Sequence, residues 1–142
     1  MRERDRERGF TLIELLVVIL ILAILAAIAI PLFYRQRERG HETQVQSALK
    51  SAAQAVEAYA TDPAVNGSYL GLDGGTYADI VASGFRMPDY LEYLNIEASA
   101  TAFCIETRHV SLTGTSAWRR AVYASDNGVP TPIPDHCAGI PL

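Results

Sequence analysis

Residues 9–34 read GFTLIELLVVILILAILAAIAIPLFY, and the reading of this stretch decides the fold. From Leu15 to Tyr34 there is no charged side chain. A helix rises ~1.5 Å per residue, so these twenty residues reach ~30 Å, the thickness of a bilayer core. In lipid the backbone polar groups must bond internally, which requires a helix there. Pro31 has no amide hydrogen and is expected to kink or weaken that helix near its end. The one carboxylate, Glu14, stands out, because a charge at the centre of a membrane helix costs roughly 2.5–3.5 kcal/mol.

The flanks differ sharply from the apolar run. Residues 1–8 alternate four arginines with three acids after Met1, so nothing in them can bury itself. Residues 41–142 carry 5 basic and 11 acidic side chains. The whole chain has 142 residues, net charge −4, 49% hydrophobic and 20% charged residues. That excludes a charged disordered tail and a generic basic nucleic-acid binder. It describes an acidic domain joined to an apolar rod.

Three readings of the rod compete. It is a plain membrane anchor, a secretory signal peptide with Ala27-Ile28-Ala29 as a small-x-small cleavage site, or a device in which Gly9, Phe10 and Glu14 all have a purpose. Charge does not orient it, since Arg2, Arg4, Arg6 and Arg8 precede the span and Arg35, Arg37 and Arg39 follow it. Glu14 separates the readings. A signal-peptide core seldom contains a carboxylate, and an uncleaved anchor gains nothing from one.

Gly9-Phe10-Thr11-Leu12-Ile13-Glu14, the aliphatic run and Pro31 together resemble the N-terminus of type IV prepilins. Type II secretion pseudopilins and competence pilins share this segment. The resemblance covers about residues 8–40. It implies a prepilin peptidase that cuts between Gly9 and Phe10 and methylates the new Phe10 amine. It implies a helix that leaves the bilayer to pack in a filament core, with Glu14 and Pro31 as assembly residues. There the partner of Glu14 is the Phe10 amine of a neighbouring subunit, which accounts for a carboxylate that would otherwise be buried alone.

The same resemblance implies a structural subunit, a type IV pilin or alternatively a type II secretion pseudopilin, with no cofactor and no catalytic residue; the alternative of a different class is a membrane-anchored surface enzyme with an uncleaved N-terminal helix. Its partners would be copies of itself or other pilins, the peptidase, an inner-membrane assembly platform and, before assembly, membrane lipid. Nucleic acid is not an expected partner. The location would be a single-pass bacterial membrane protein first and an extracellular pilus afterwards. The layout expected is a cleaved leader over 1–9, a transmembrane and filament-core helix over 10–34, an amphipathic helical half over 35–61, and a head over 62–142. The fold class is α+β, pilin-like: one long helix packed against a small antiparallel sheet.

The residues beyond Pro31 support a domain of that kind. Val45, Leu49, Ala52, Val56 and Tyr59 recur at spacings of four and three, one apolar stripe on a helix. Gly40 is expected to mark a bend or a locally melted turn, and Asp62-Pro63 to end the helix. From Phe10 to about Ala60 such a helix would be ~75 Å long. Asn66-Gly67 and Gly74-Gly75 signal turns. Thr76-Tyr77-Ala78-Asp79 reads as a capping box for a short helix ending near Gly84, and Asp89-Tyr90-Leu91-Glu92 behind Pro88 as another. Segments 102–110 and 118–125 have strand character with a hairpin near Gly114, and the proline-rich tail suits an edge strand.

Cys104 and Cys137 admit a disulfide, a thiol nucleophile or metal ligands. Exposure outside the membrane favours the disulfide, which would close a loop of about 33 residues. His109 and His136 stand near the cysteines, but without finger spacing. Asp126, Asn127 and Asp135 offer oxygen ligands without an EF-hand pattern, and are expected to be solvated loop groups. Trp118-Arg119-Arg120 is a small basic and aromatic patch. Asn66-Gly67-Ser68 is a sequon, expected to be coincidental.

Overall fold

A computed structural model of the chain describes residues 10–112, 117–126, 128–132 and 137. Helix α1 runs over Leu12–Ala60. Five strands follow: β1 Gly75–Thr76, β2 Leu91–Ala98, β3 Phe103–His109, β4 Arg120–Ala124 and β5 Pro130–Pro132. They form one antiparallel sheet in the order β1-β2-β3-β4-β5, so each strand pairs with its neighbour in sequence. The chain divides into two units, one ending at Arg37 and one beginning at Glu38.

In the first unit, every described residue is exposed, from Phe10 through Arg37. The helix continues through Pro31. Pro31 therefore lies within helical structure, and does not end it.

In the second unit, α1 buries one face. Val45, Leu49, Ala52 and Val56 are fully enclosed, joined by Ala48, Ala53 and Ala55. The opposing surface is the inner face of the sheet: Leu94, Ile96 and Ala98 of β2, Phe103 and Ile105 of β3, and Ala121 of β4. Alanines on the helix favour helical backbone and allow close approach of the strands. Full burial of a side chain such as Leu49 or Ile105 contributes roughly 1.5–3 kcal/mol. The expected stripe is thus the face that meets the sheet, with Tyr59 at its margin.

The connections are built by local chemistry. After α1, the Asp62 carboxylate accepts the Ala64 N–H at 2.8 Å, and Pro63 between them cannot continue a helix. Thr76 and Asp79 form the expected capping box over the 3₁₀ turn Tyr77–Ile80, and Gly84 ends the following turn at φ +94°. Gly75 must be glycine, because a Cβ there would lie 2.7 Å from the Leu72 carbonyl oxygen.

Two expectations are corrected. Gly40 does not mark a melted turn, as α1 is helical across it. Asp89-Tyr90-Leu91-Glu92 is not a capping box, since β2 begins at Leu91. Leu91, Leu94, Ile96 and Ala98 are buried against the core, and a register shift between Leu91 and Tyr93 offsets the alternation. Segments 102–110 and 118–125 do contain β3 and β4, and the tail supplies the edge strand β5. Gly114, Asn127, Asp135, His136 and residues 1–9 lie outside the described residues.

Candidate functional site: an assembly helix

The first turn of α1 is closed by its own side chains. Glu14 Oε2 accepts the Thr11 N–H at 2.9 Å and the Thr11 hydroxyl at 2.8 Å, while Glu14 N–H donates to Thr11 Oγ1 at 3.3 Å. This is a reciprocal capping box, with a carboxylate at the positive end of the helix. The spelling Thr-x-x-Glu was a signal for it that the sequence reading passed over. The cap keeps the Glu14 carboxylate beside the start of the helix, adjacent to Phe10.

Beyond the cap, the helix is long and apolar enough to cross a membrane. Its aliphatic residues point in all directions around the axis: Leu15, Leu16, Val17, Val18, Ile19 and Leu20 are successive and all exposed. A helix that is apolar all round has no face suited to water. Its surroundings must be lipid or other apolar helices. Phe33 and Tyr34 close the run in an edge-to-face contact at 6.3 Å.

The head contains no comparable apolar surface on β3. Its outer face is polar and cross-linked. The Cys104–Cys137 disulfide is present, with both cysteines buried around Val122. It pins Cys137, from the proline-rich tail, to β3. Beside it, Glu106 accepts the Tyr93 hydroxyl at 2.6 Å and Arg120 Nη2 at 2.8 Å. Burial, and then the hydrogen bond to Glu106, pushes the Tyr93 phenol upward. Arg120 is therefore committed to an internal network, and Trp118 packs against the core. The basic and aromatic patch of the sequence is not presented as one surface. Asp126 is exposed, and no cluster of three metal-ligating side chains occurs among the described residues.

Comparison with known proteins gives this arrangement a context. Residues 4–30 match the family described as the prokaryotic N-terminal methylation motif. The type IV wide pilus major component of Thermus thermophilus is 34% identical over 136 residues, covering 92% of this chain and 96% of that protein. The chain belongs to the type IV pilin and pseudopilin family. Two further relatives of this pilin-family chain bracket its range. The prepilin peptidase-dependent protein D of Escherichia coli is 33% identical over 125 residues, covering 88% of this chain and 80% of that protein. The type II secretion system core protein G of Escherichia coli is 34% identical over 62 residues, covering 44% of this chain and 43% of that protein. No solved structure matches significantly. The family consists of structural subunits, and these relatives lend no support to a membrane-anchored surface enzyme.

Proposed function

We propose that this chain is a type IV pilin, cut between Gly9 and Phe10, methylated on Phe10, and polymerised through α1 into an extracellular pilus. The observation that carries the reading is the helix exposed on every side from Leu12 to Tyr34, with its only carboxylate in the first turn. Before assembly, bilayer lipid surrounds that helix in a single pass. After assembly, neighbouring copies surround it, and the chain exchanges one apolar environment for another at little hydrophobic cost. The peptidase and an inner-membrane platform are the partners this route requires.

Glu14 is the register device. Its Oε2 is occupied by Thr11, while Oε1 makes no hydrogen bond among the described residues. A neighbour's Phe10 amine can approach Oε1, and low polarity strengthens their attraction. Desolvation offsets much of that gain, so the pair sets position more than it adds net stability. Pro31 leaves the Ala27 carbonyl without its helical N–H partner, which loosens the helix within the apolar span where neighbouring copies would pack.

The pilin reading is preferred to the pseudopilin one because the pilus major component aligns along nearly all of the chain, whereas the secretion protein aligns along less than half. The disulfide suits a head exposed to an oxidising exterior. Electron microscopy of surface filaments, with peptide mapping of their subunit, tests the proposal. Filaments built of this chain are expected. Its retention in the membrane of cells that display pili made of another subunit would contradict it.

A further inference from the structure

One cluster in the head lies outside the apolar run of the N-terminal helix. His109, the last residue of β3, is 1% exposed. Its Nε2 lies 3.2 Å from Gln44 Oε1, and its Nδ1 accepts the Ser111 N–H at 3.0 Å. His41 Nδ1 lies 3.2 Å from the same Gln44 oxygen. The His41 and His109 rings are 4.6 Å apart, and Tyr90 stacks on His109 at 5.4 Å.

These contacts assign the proton. A nitrogen that accepts from Ser111 carries none, so the hydrogen on His109 sits on Nε2 and points to Gln44. The ring is held neutral, with one nitrogen donating and one accepting. A second proton has only Nδ1 to go to, where it would face the Ser111 N–H. It would also place a cation against the His41 ring, whose centroid is 4.6 Å away.

We propose that His41, Gln44 and His109 form an acid-released latch, which ties the first turns of the head's helix to the end of β3 near neutral pH and lets them go as His109 takes up a proton. The titratable groups touching His109 are His41 from α1 and Tyr90 from the segment before β2. Of β3's own charged residues, Glu106 and Arg108 face the other side of the sheet, where Arg108 pairs with Glu92 of β2 at 3.0 Å. Among the described residues, the group that acts electrostatically on the ring is His41, and it acts against protonation of His109.

The direction follows from burial. Desolvation, and secondarily His41, holds the His109 pKa below its ordinary 6.5. The opened segment therefore protonates before the closed one. The latch contributes fully above about pH 6.5, weakens as pH falls through that range, and stops weakening below the closed ring's own pKa. Its place in the sequence gives the release a consequence. His41 and Gln44 lie just after Glu38, where the second unit begins, so acid would free the first turns of that unit's helix.

The test is hydrogen exchange of the full-length chain in detergent micelles at pH 7.5 and pH 5.0, corrected for intrinsic rates. Amide protection over residues 42–48 is expected to fall between the two pH values, while Ile105 and Thr107 keep theirs. An NMR titration of the His109 ring should show a midpoint below 6.5, accompanying that loss. His109→Gln should flatten the dependence, and His41→Gln should reduce it if the first variant fails to fold. Unchanged protection over 42–48, an equal loss throughout the sheet, or a His109 midpoint at or above 6.5 would overturn the latch.

Discussion

Leu20 and Leu49 belong to the same helix, yet Leu20 is 55% exposed and Leu49 is 0% exposed. Around Leu20 the apolar residues are consecutive and surround the axis. Around Leu49 they recur every third or fourth position, with Gln46, Lys50 and Gln54 between them. The second pattern selects a partner inside the chain, the sheet. The first cannot be satisfied by one sheet, because no single partner covers every side of a helix. It calls for an environment supplied from outside, lipid or other apolar helices; under the proposed function these are first the bilayer and then other copies. The difference between function and fold in this molecule is the difference between those two patterns.

The largest effect that would break this comparison is at Glu14. Glu14→Leu makes the first turn still more suited to lipid, and Glu14→Gln keeps the shape without the charge. Both are expected to abolish filaments while the membrane pool of cleaved subunit persists. Filament yield beside that pool is the measurement. Normal filaments from both variants would show that the carboxylate is dispensable.

The next effect belongs to the head. Cys104→Ser should destabilise it by about 3–4 kcal/mol in the chain-entropy model. It should leave membrane insertion unchanged, because the disulfide lies wholly in the second unit. Thermal unfolding of the full chain with and without reductant reads this directly. A melting temperature insensitive to reductant would remove the tail's pin from the account.

Some of this architecture was legible and some was not, for physical reasons. The apolar run and the stripe through Val45, Leu49, Ala52 and Val56 are periodic and local, so they read directly. The segment around Ile105 read as a strand because β-branched and aromatic residues cluster there. β2 did not: Asp89-Tyr90-Leu91-Glu92 imitates a helix start, and the shift between Leu91 and Tyr93 disguises the alternation. The Thr11–Glu14 cap is spelled in the sequence, but Thr-x-x-Glu at the head of an apolar run is equally compatible with a carboxylate paired outside the chain. The His41–Gln44–His109 contacts join residues 65 positions apart, and no local pattern reports a pairing at that distance.

The smallest effect sharpens the same contrast with a single methyl group. Ile105→Val, in the fully enclosed core, should cost about 0.5–1.5 kcal/mol of head stability. Ile24→Val, on the exposed half of α1, should leave it within about 0.5 kcal/mol. Denaturant unfolding monitored at Trp118 compares them. Equal losses would mean that the two halves are not energetically distinct.

The central claim is that residues 10–34 are kept for assembly and are neither discarded nor left as an anchor. Intact-mass analysis of filaments sheared from the cell surface tests it most directly. Removing the nine residues before Phe10 from the 142-residue chain leaves 133. The account predicts the mass of Phe10–Leu142, with one added methyl group and the loss of two hydrogens at the Cys104–Cys137 bond. A chain starting at Ile30, lacking the assembly helix, or one still carrying Met1 would contradict it.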